Sequence, residues 1–346
     1  MAAKRKSNVI ARAVQDGDGK KVALGAAVAG GAMAAAKLGW DRITGDNPRR
    51  FRLRDDEPVP EGLERIAVGQ LDQSIEGLAG EADTDRPTAV HEARKSMKRL
   101  RAVVRLARDE LGDYVYRRDN KALRDAGRRL TGARDSRVLL DTLEDVSERH
   151  PDKAPREALS PFRRTLLSQH ANEQRRFQAD DAAAEVLREL REVRSRVPYW
   201  PLERASIESL APGFERIYRR GRKAYLRAQD QPSTENLHEL RKRSKDLWYA
   251  GQVVRPASPK QLKAISKDAK VVSELIGEEH DLALLADSAA ARPDRFGDEA
   301  ELGDLLKVIK GRRKRLRRKA LKRGERLFKQ KPKAVARLLE GPSSPS

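Results

Sequence analysis

His91-Glu92-Ala93-Arg94-Lys95-Ser96-Met97-Lys98-Arg99-Leu100-Arg101-Ala102-Val103-Val104-Arg105-Leu106-Ala107-Arg108 is the stretch on which the reading of this chain turns. On a helix advancing about 100° per residue, His91, Arg94, Lys95, Lys98, Arg101 and Arg105 fall within an arc of roughly 120°. Met97, Leu100, Val104, Ala107 and Leu111 fall opposite, so the helix has an apolar face to bury and a basic face to present. A solvated helix face normally mixes Glu with Lys at i and i+4, whereas this arc carries cations only. Such a row repels itself and is best tolerated where a polyanion neutralises it.

The stretch has a copy 147 residues further on (91 to 238): His238-Glu239-Leu240-Arg241-Lys242-Arg243-Ser244-Lys245 repeats His-x-x-Arg-Lys-x-x-Lys. Glu61-Gly62-Leu63-Glu64-Arg65-Ile66 likewise returns as Pro212-Gly213-Phe214-Glu215-Arg216-Ile217. Leu130-Thr131-Gly132-Ala133-Arg134-Asp135 returns as Leu275-Ile276-Gly277-Glu278-Glu279-His280-Asp281. Three landmarks in the same order indicate an internal duplication.

In these residues the chain resembles the CHAD domain, the conserved histidine α-helical domain, whose hallmark is His-x-x-Arg-Lys-x-x-Lys-x-x-Arg once per half. His91, Arg94, Lys95, Lys98 and Arg101 fill the first copy, while the second has Trp248 where the last Arg belongs. The resemblance spans residues 49–332, with halves at about 49–200 and 201–332. It implies an all-α fold, a duplicated pair of helical bundles related by pseudo-two-fold symmetry around a basic groove that binds inorganic polyphosphate. It implies no catalysis. A polyphosphate binder lacking cysteine is expected in the cytoplasm at polyphosphate granules, with polyphosphate-metabolising enzymes as further partners.

Composition is consistent with this. The 346 residues are 37% charged and only 4% aromatic, which suits long amphipathic helices, and strand-like alternation is absent. A net charge of +21 and a pI of about 10.2 call for a polyanionic partner without choosing among nucleic acid, anionic membrane and phosphate polymer. The absence of cysteine excludes disulfides and thiolate metal sites.

Residues 1–48 read as a basic tail around the Ala/Gly-rich run Val22 to Ala36, too short and too weakly apolar to span a bilayer. Lys20-Lys21 ahead of the run and Ala34-Ala35-Ala36 at its end also fit a secretory signal. The long basic leader and the poor apolarity of Ala and Gly favour a flexible or loosely helical tail. Helices are expected over Glu61 to Leu78, from His91 up to Gly112, over Tyr114 to Leu130, Asp135 to Arg149, Phe162 to Phe177 and Ala182 to Arg196. Pro198-Tyr199-Trp200-Pro201 reads as a hinge joining the halves. In the second half, Arg216, Arg220, Lys223 and Arg227 share one helix face and Phe214, Ile217, Gly221, Tyr225 and Ala228 the other. The His238 helix follows, then Lys263, Lys267 and Lys270 on the next, a short element over Asp281 to Ala291, a long helix from Glu299 to Gln330, and a tail over 333–346. In that last helix Arg312 to Lys319 is basic on nearly every side.

Neither a nucleophile with its base nor a metal cluster nor a Gly-rich phosphate loop is legible, and Glu299-Ala300-Glu301 lacks the Lys that completes a triphosphate-processing Glu-x-Glu-x-Lys motif. No enzyme, cofactor or metal is therefore expected. The expected site consists of His91, Arg94, Lys95, Lys98, Arg101 and Arg105 with His238, Arg241, Lys242 and Lys245. Around them stand Arg216, Arg220, Lys223, Arg124, Arg128, Arg134, Lys263, Lys267 and Lys270. From residue 91 to residue 105 the row covers about 21 Å, enough for several phosphates. Arginine forks and lysine point charges can follow such a polymer without reading a sequence. Nucleic acid is the competing polyanion, disfavoured by the few aromatics available for base stacking. A membrane surface would draw on the N-terminal tail.

Overall fold

The computed structural model describes residues 51–82, 84–130, 135–179 and 182–340. The Ala/Gly-rich run, the tail over 1–48, and Arg134 with the Asp135 side chain lie outside the described residues. Among those described, every regular element is helical. In chain order the helices are α1 (Val59–Ala79), α2 (Arg86–Leu106), α3 (Arg108–Arg129), α4 (Asp135–Arg149), α5 (Ser160–Ala179), α6 (Ala182–Arg196), α7 (Ala211–Asp230), α8 (Thr234–Val253), α9 (Pro259–Ala290), α10 (Glu299–Leu327) and the short α11 (Pro332–Ala336).

Local signals account for most of the helix starts. Asp85 caps α2 by accepting from the Thr88 N–H at 2.9 Å, with Pro87 in the first turn. Ser233 caps α8, and Asp298 caps α10 while Glu301 reaches back to the Gly297 N–H at 2.7 Å. The α2 helix stops at Leu106 rather than running to Gly112, and Gly112 instead kinks α3 with φ 69°. The earlier stop is set by a neighbour: the start of α7 abuts the Leu106 carbonyl so closely that a Cβ on Gly213 would lie 1.9 Å from its oxygen.

α1 packs on α2 and α6; α2 packs on α3, α7 and α8; α8 packs on α7 and α9; and α9 packs on α10. One apolar core joins α1–α3 and α6–α8 to the beginning of α9 and the end of α10. A second core joins α4 and α5 to the far ends of α9 and α10 through Leu143, Phe162, Leu166, Leu282, Leu285 and Ile309. The apolar sets expected for α2 and α7 are buried as read, from Met97 to Leu111 and from Phe214 to Ala228.

Three expectations are corrected. Asp281 to Ala291 is no separate element but the end of the 32-residue α9, because no proline follows Pro259 within it and the ladder runs on through Gly277. Pro198-Tyr199-Trp200-Pro201 links α6 to α7 but is not a hinge: Trp200 is buried and its indole N–H donates to the fully buried Asp119 at 2.9 Å, beside Arg118 and Arg196. The 333–346 tail is partly structured, since α11 and the turn after it bury Val335, Ala336 and Leu339 against α7.

Gly213→Ala should cost about 2 kcal/mol or more of stability, because backbone rather than a pliant side chain opposes the added methyl. A urea unfolding curve checks this, and an unchanged midpoint would mean that α2 and α7 can move apart freely.

Candidate polyanion-binding face

The α2 cap and its apolar face fix how the first cationic row is presented. His91, Arg94, Lys95, Lys98, Arg101 and Arg105 are all half-buried, lying in the seams between α2 and its neighbours rather than out in solvent. The row is not free of carboxylates, contrary to the helical-wheel expectation. Glu92 lies 3.6 Å from the Lys95 ammonium, and Asp246 of α8 accepts from Arg105 at 2.8 Å. A wheel drawn for α2 alone misses Asp246 because that carboxylate arrives from a different helix.

Arg101 donates to Asn120 of α3 at 3.2 Å. Burial pushes its pKa down to about 10, with the Arg105 and Arg124 charges acting in the same direction and Asp246 opposing them. The charges of Arg101, Arg105 and Arg124 therefore lie close enough to act on one another, with Asp246 opposing them. Arg124 itself is paired with Asp125 at 2.8 Å, and Lys121 and Arg128 also approach that carboxylate. The Arg124 hydrogen bond leads in holding the Asp125 pKa at about 2.

The second row is built between α8 and α9. Arg241 lies over Gly277, where a Cβ would come 3.0 Å from its Nη2, so the glycine makes room for the guanidinium. The His238 ring faces His280 with centroids 5.4 Å apart. Partial burial, then Lys242, His280 and Arg241, hold the His238 pKa below the ordinary histidine value. Lys242 reaches Glu239 at 2.9 Å, and Lys245 is half-buried. Trp248, standing where the hallmark has Arg, stacks on Tyr249 and takes the Lys270 ammonium 5.4 Å from its ring centroid. Positive charge thus returns to that position from α9, although Lys270 also lies 3.8 Å from Glu274.

The outlying candidates divide. Arg216 is engaged by Asp109 at 2.8 Å and ties α7 to α3. Arg220, Lys223, Lys263 and Lys267 are exposed, with no described carboxylate within 4.0 Å. His280 was visible in the sequence only as part of the third repeated landmark, and its pairing with His238 across 42 positions needed the fold. Arg99 carries no sequence signal that separates it from its neighbours. It is nonetheless buried between Phe51 and Tyr249, 5.4 and 6.0 Å from their ring centroids, and donates to Gln70. No group of His, Asp or Glu among the described residues is arranged to hold a metal ion, and no described helix is long and apolar enough to cross a membrane.

Because Arg105 and Asp246 are both largely buried, a double-mutant cycle of Arg105→Ala and Asp246→Ala should show a coupling of about 1–3 kcal/mol in urea unfolding. Asp246→Ala alone should cost more than Arg105→Ala, since it leaves several cations facing one another. The reverse order would contradict the electrostatic role of Asp246.

No curated protein sequence matches this chain. The CHAD domain family does match, over residues 66–290, a span running from within α1 to the end of α9 and including both His-x-x-Arg-Lys-x-x-Lys copies. The chain belongs to the CHAD domain family.

Proposed function

We propose that this protein binds inorganic polyphosphate without catalysis, through the cationic rows of α2 and α8 and the lysines and arginines that α3, α7 and α9 add beside them. The observation that carries this is the contact between α2 and α8, the two helices bearing the repeated motif. At that contact Asp246 meets both Arg105 of α2 and Arg243 of α8, which offsets part of the repulsion between the two rows. The family's association with polyphosphate supports the choice of polyanion.

In this proposal the halves, about 49–200 and 201–332, are duplicated bundles related by a pseudo-two-fold axis, and the two rows border one basic groove. His91, Arg94, Lys95, Lys98 and Arg101 serve one side, and His238, Arg241, Lys242, Lys245 and Lys270 the other. Arg220, Lys223, Lys263, Lys267, Arg124 and Arg128 extend the positive field. Arg105 and Arg216 are tied to carboxylates of other helices, Asp246 and Asp109, so they contribute long-range charge and helix positioning more than direct grip. Burial, and after it the Arg105 and Arg124 charges, disfavour the charged form of Arg101, and phosphate oxygens entering beside it would favour that form. Arginine forks take adjoining oxygens while lysines adapt to an irregular chain. Such binding would bring the protein to polyphosphate granules in the cytoplasm.

Arg94→Glu, Lys98→Glu and Arg101→Glu together should abolish binding of long-chain polyphosphate in a filter or anisotropy assay while the helical circular dichroism persists. Unchanged affinity would remove α2 from the site. DNA or RNA displacing polyphosphate at equal phosphate concentration and moderate salt would turn the assignment toward nucleic acid.

The pH dependence has a definite sign. Free His238 titrates below the ordinary value of about 6.5 and is largely neutral at pH 7, and a bound polyanion favours its protonated form. Binding then takes up a proton, so affinity should rise as pH falls toward the free-state pKa and level off below it. His238→Gln should flatten the profile, and an identical profile in that variant would exclude His238 from the contact.

A further inference from the structure

A second cationic surface lies on α10, and its surroundings differ from those of the α2–α8 rows. Lys310, Lys314, Arg318 and Lys322 succeed one another at i, i+4 along this helix, covering about 18 Å. All four are exposed, and none has a described carboxylate within 4.0 Å. Arg313 and Arg317 beside them are held instead by the buried Glu279 of α9, at 2.9 and 2.6 Å. The row borders a cleft of about 970 Å³ between α10, the end of α7 and α9 at Ala286. Between the cations the accessible cleft wall is apolar, formed by Pro232, Ala286, Leu306 and Leu321 over the buried Tyr225 and Ile309, and Glu325 is the single carboxylate among its described lining residues.

An inorganic polyanion would satisfy the cations and leave that apolar wall in water. The complementary occupant carries carboxylates and apolar side chains together, spaced to meet a ladder that rises about 6 Å per step. The chain's own remaining segments do not qualify. Residues 1–50 hold ten Lys and Arg against four Asp, and 341–346 hold no charge. We propose that the α10 cleft docks an acidic amphipathic helix of a partner protein, with its apolar face on Pro232, Leu306 and Leu321 and its carboxylates on the Lys310–Lys322 ladder. A protein equipped in this way presents one face to a polymer and another to a polypeptide. The α10 proposal stands whether or not the polymer is polyphosphate.

The test uses the full chain and a fluorescein-labelled peptide of about 16 residues, with Glu at i, i+4 and Leu on the opposite helical face, read by anisotropy. Lys314→Glu, Arg318→Glu and Lys322→Glu together should weaken binding roughly tenfold or more, and Leu321→Ser roughly fivefold. Lys153→Glu, Arg164→Glu and Arg191→Glu, which impose the same charge change at exposed positions elsewhere, should stay within about twofold, and a Gln-for-Glu peptide should not bind. Polyphosphate affinity of the α10 triple variant should stay within about threefold of the parent. Equal losses in the two triple variants would reduce the effect to net charge and overturn the proposal. So would undiminished peptide binding in the α10 variants, or loss of polyphosphate binding on α10 with the peptide unaffected. Should the triple variant unfold, Lys314→Gln and Leu321→Ser carry the same comparison.

Discussion

Two helices that each display a row of cations do not pack together unless something between them is negative. Here that group is Asp246, which accepts from Arg105 of α2 and pairs with Arg243 on its own helix. At separations near 3 Å and with limited solvent access, such pairing offsets the repulsion between the rows. The contact is reinforced on the apolar side. Arg99 is buried between the Phe51 and Tyr249 rings, and the Leu53 N–H donates to the Val253 carbonyl at 3.0 Å. The segment ahead of α1 is thereby stitched to the end of α8. What α2 and α8 present to a ligand follows from how these contacts orient them.

The same economy recurs through the molecule. A few buried carboxylates each hold two basic side chains and staple neighbouring helices. Asp119 takes Arg118 and Arg196, Asp268 takes Arg323 and Arg326, and Glu279 takes Arg313 and Arg317. With 74 Lys and Arg against 53 Asp and Glu, the cations outnumber the acids that could pair with them. The surplus collects on particular faces, among them Arg220 and Lys223 on α7, Lys263 and Lys267 on α9, and the Lys310–Lys322 row on α10. Some arginines are therefore architecture and others are available charge, and the difference between Arg105 and Lys263 is a difference of neighbours rather than of residue type.

Helix type, the apolar faces of α2 and α7 and the repeated His-x-x-Arg-Lys-x-x-Lys motif were legible in the sequence, because each depends on residues three or four apart on one helix. Boundaries set by remote packing were not. The end of α2 at Leu106 answers to Gly213, and the continuity of α9 past Gly277 coincides with the Arg241 guanidinium lying over that glycine. Trp200 looked like part of a flexible Pro-rich link and is fixed by Asp119, 81 positions away.

By itself, then, the order of residues determined a strongly basic chain, helical throughout its described residues, that carries the His-x-x-Arg-Lys-x-x-Lys motif twice, since period and composition are local properties. Only the tertiary structure decided which cations are already answered. Arg105 and Arg216 meet Asp246 and Asp109, while Trp248 receives the charge of Lys270 from another helix. The reason is physical: an ion pair forms wherever packing brings opposite charges within a few ångströms, and that distance bears no relation to separation along the chain.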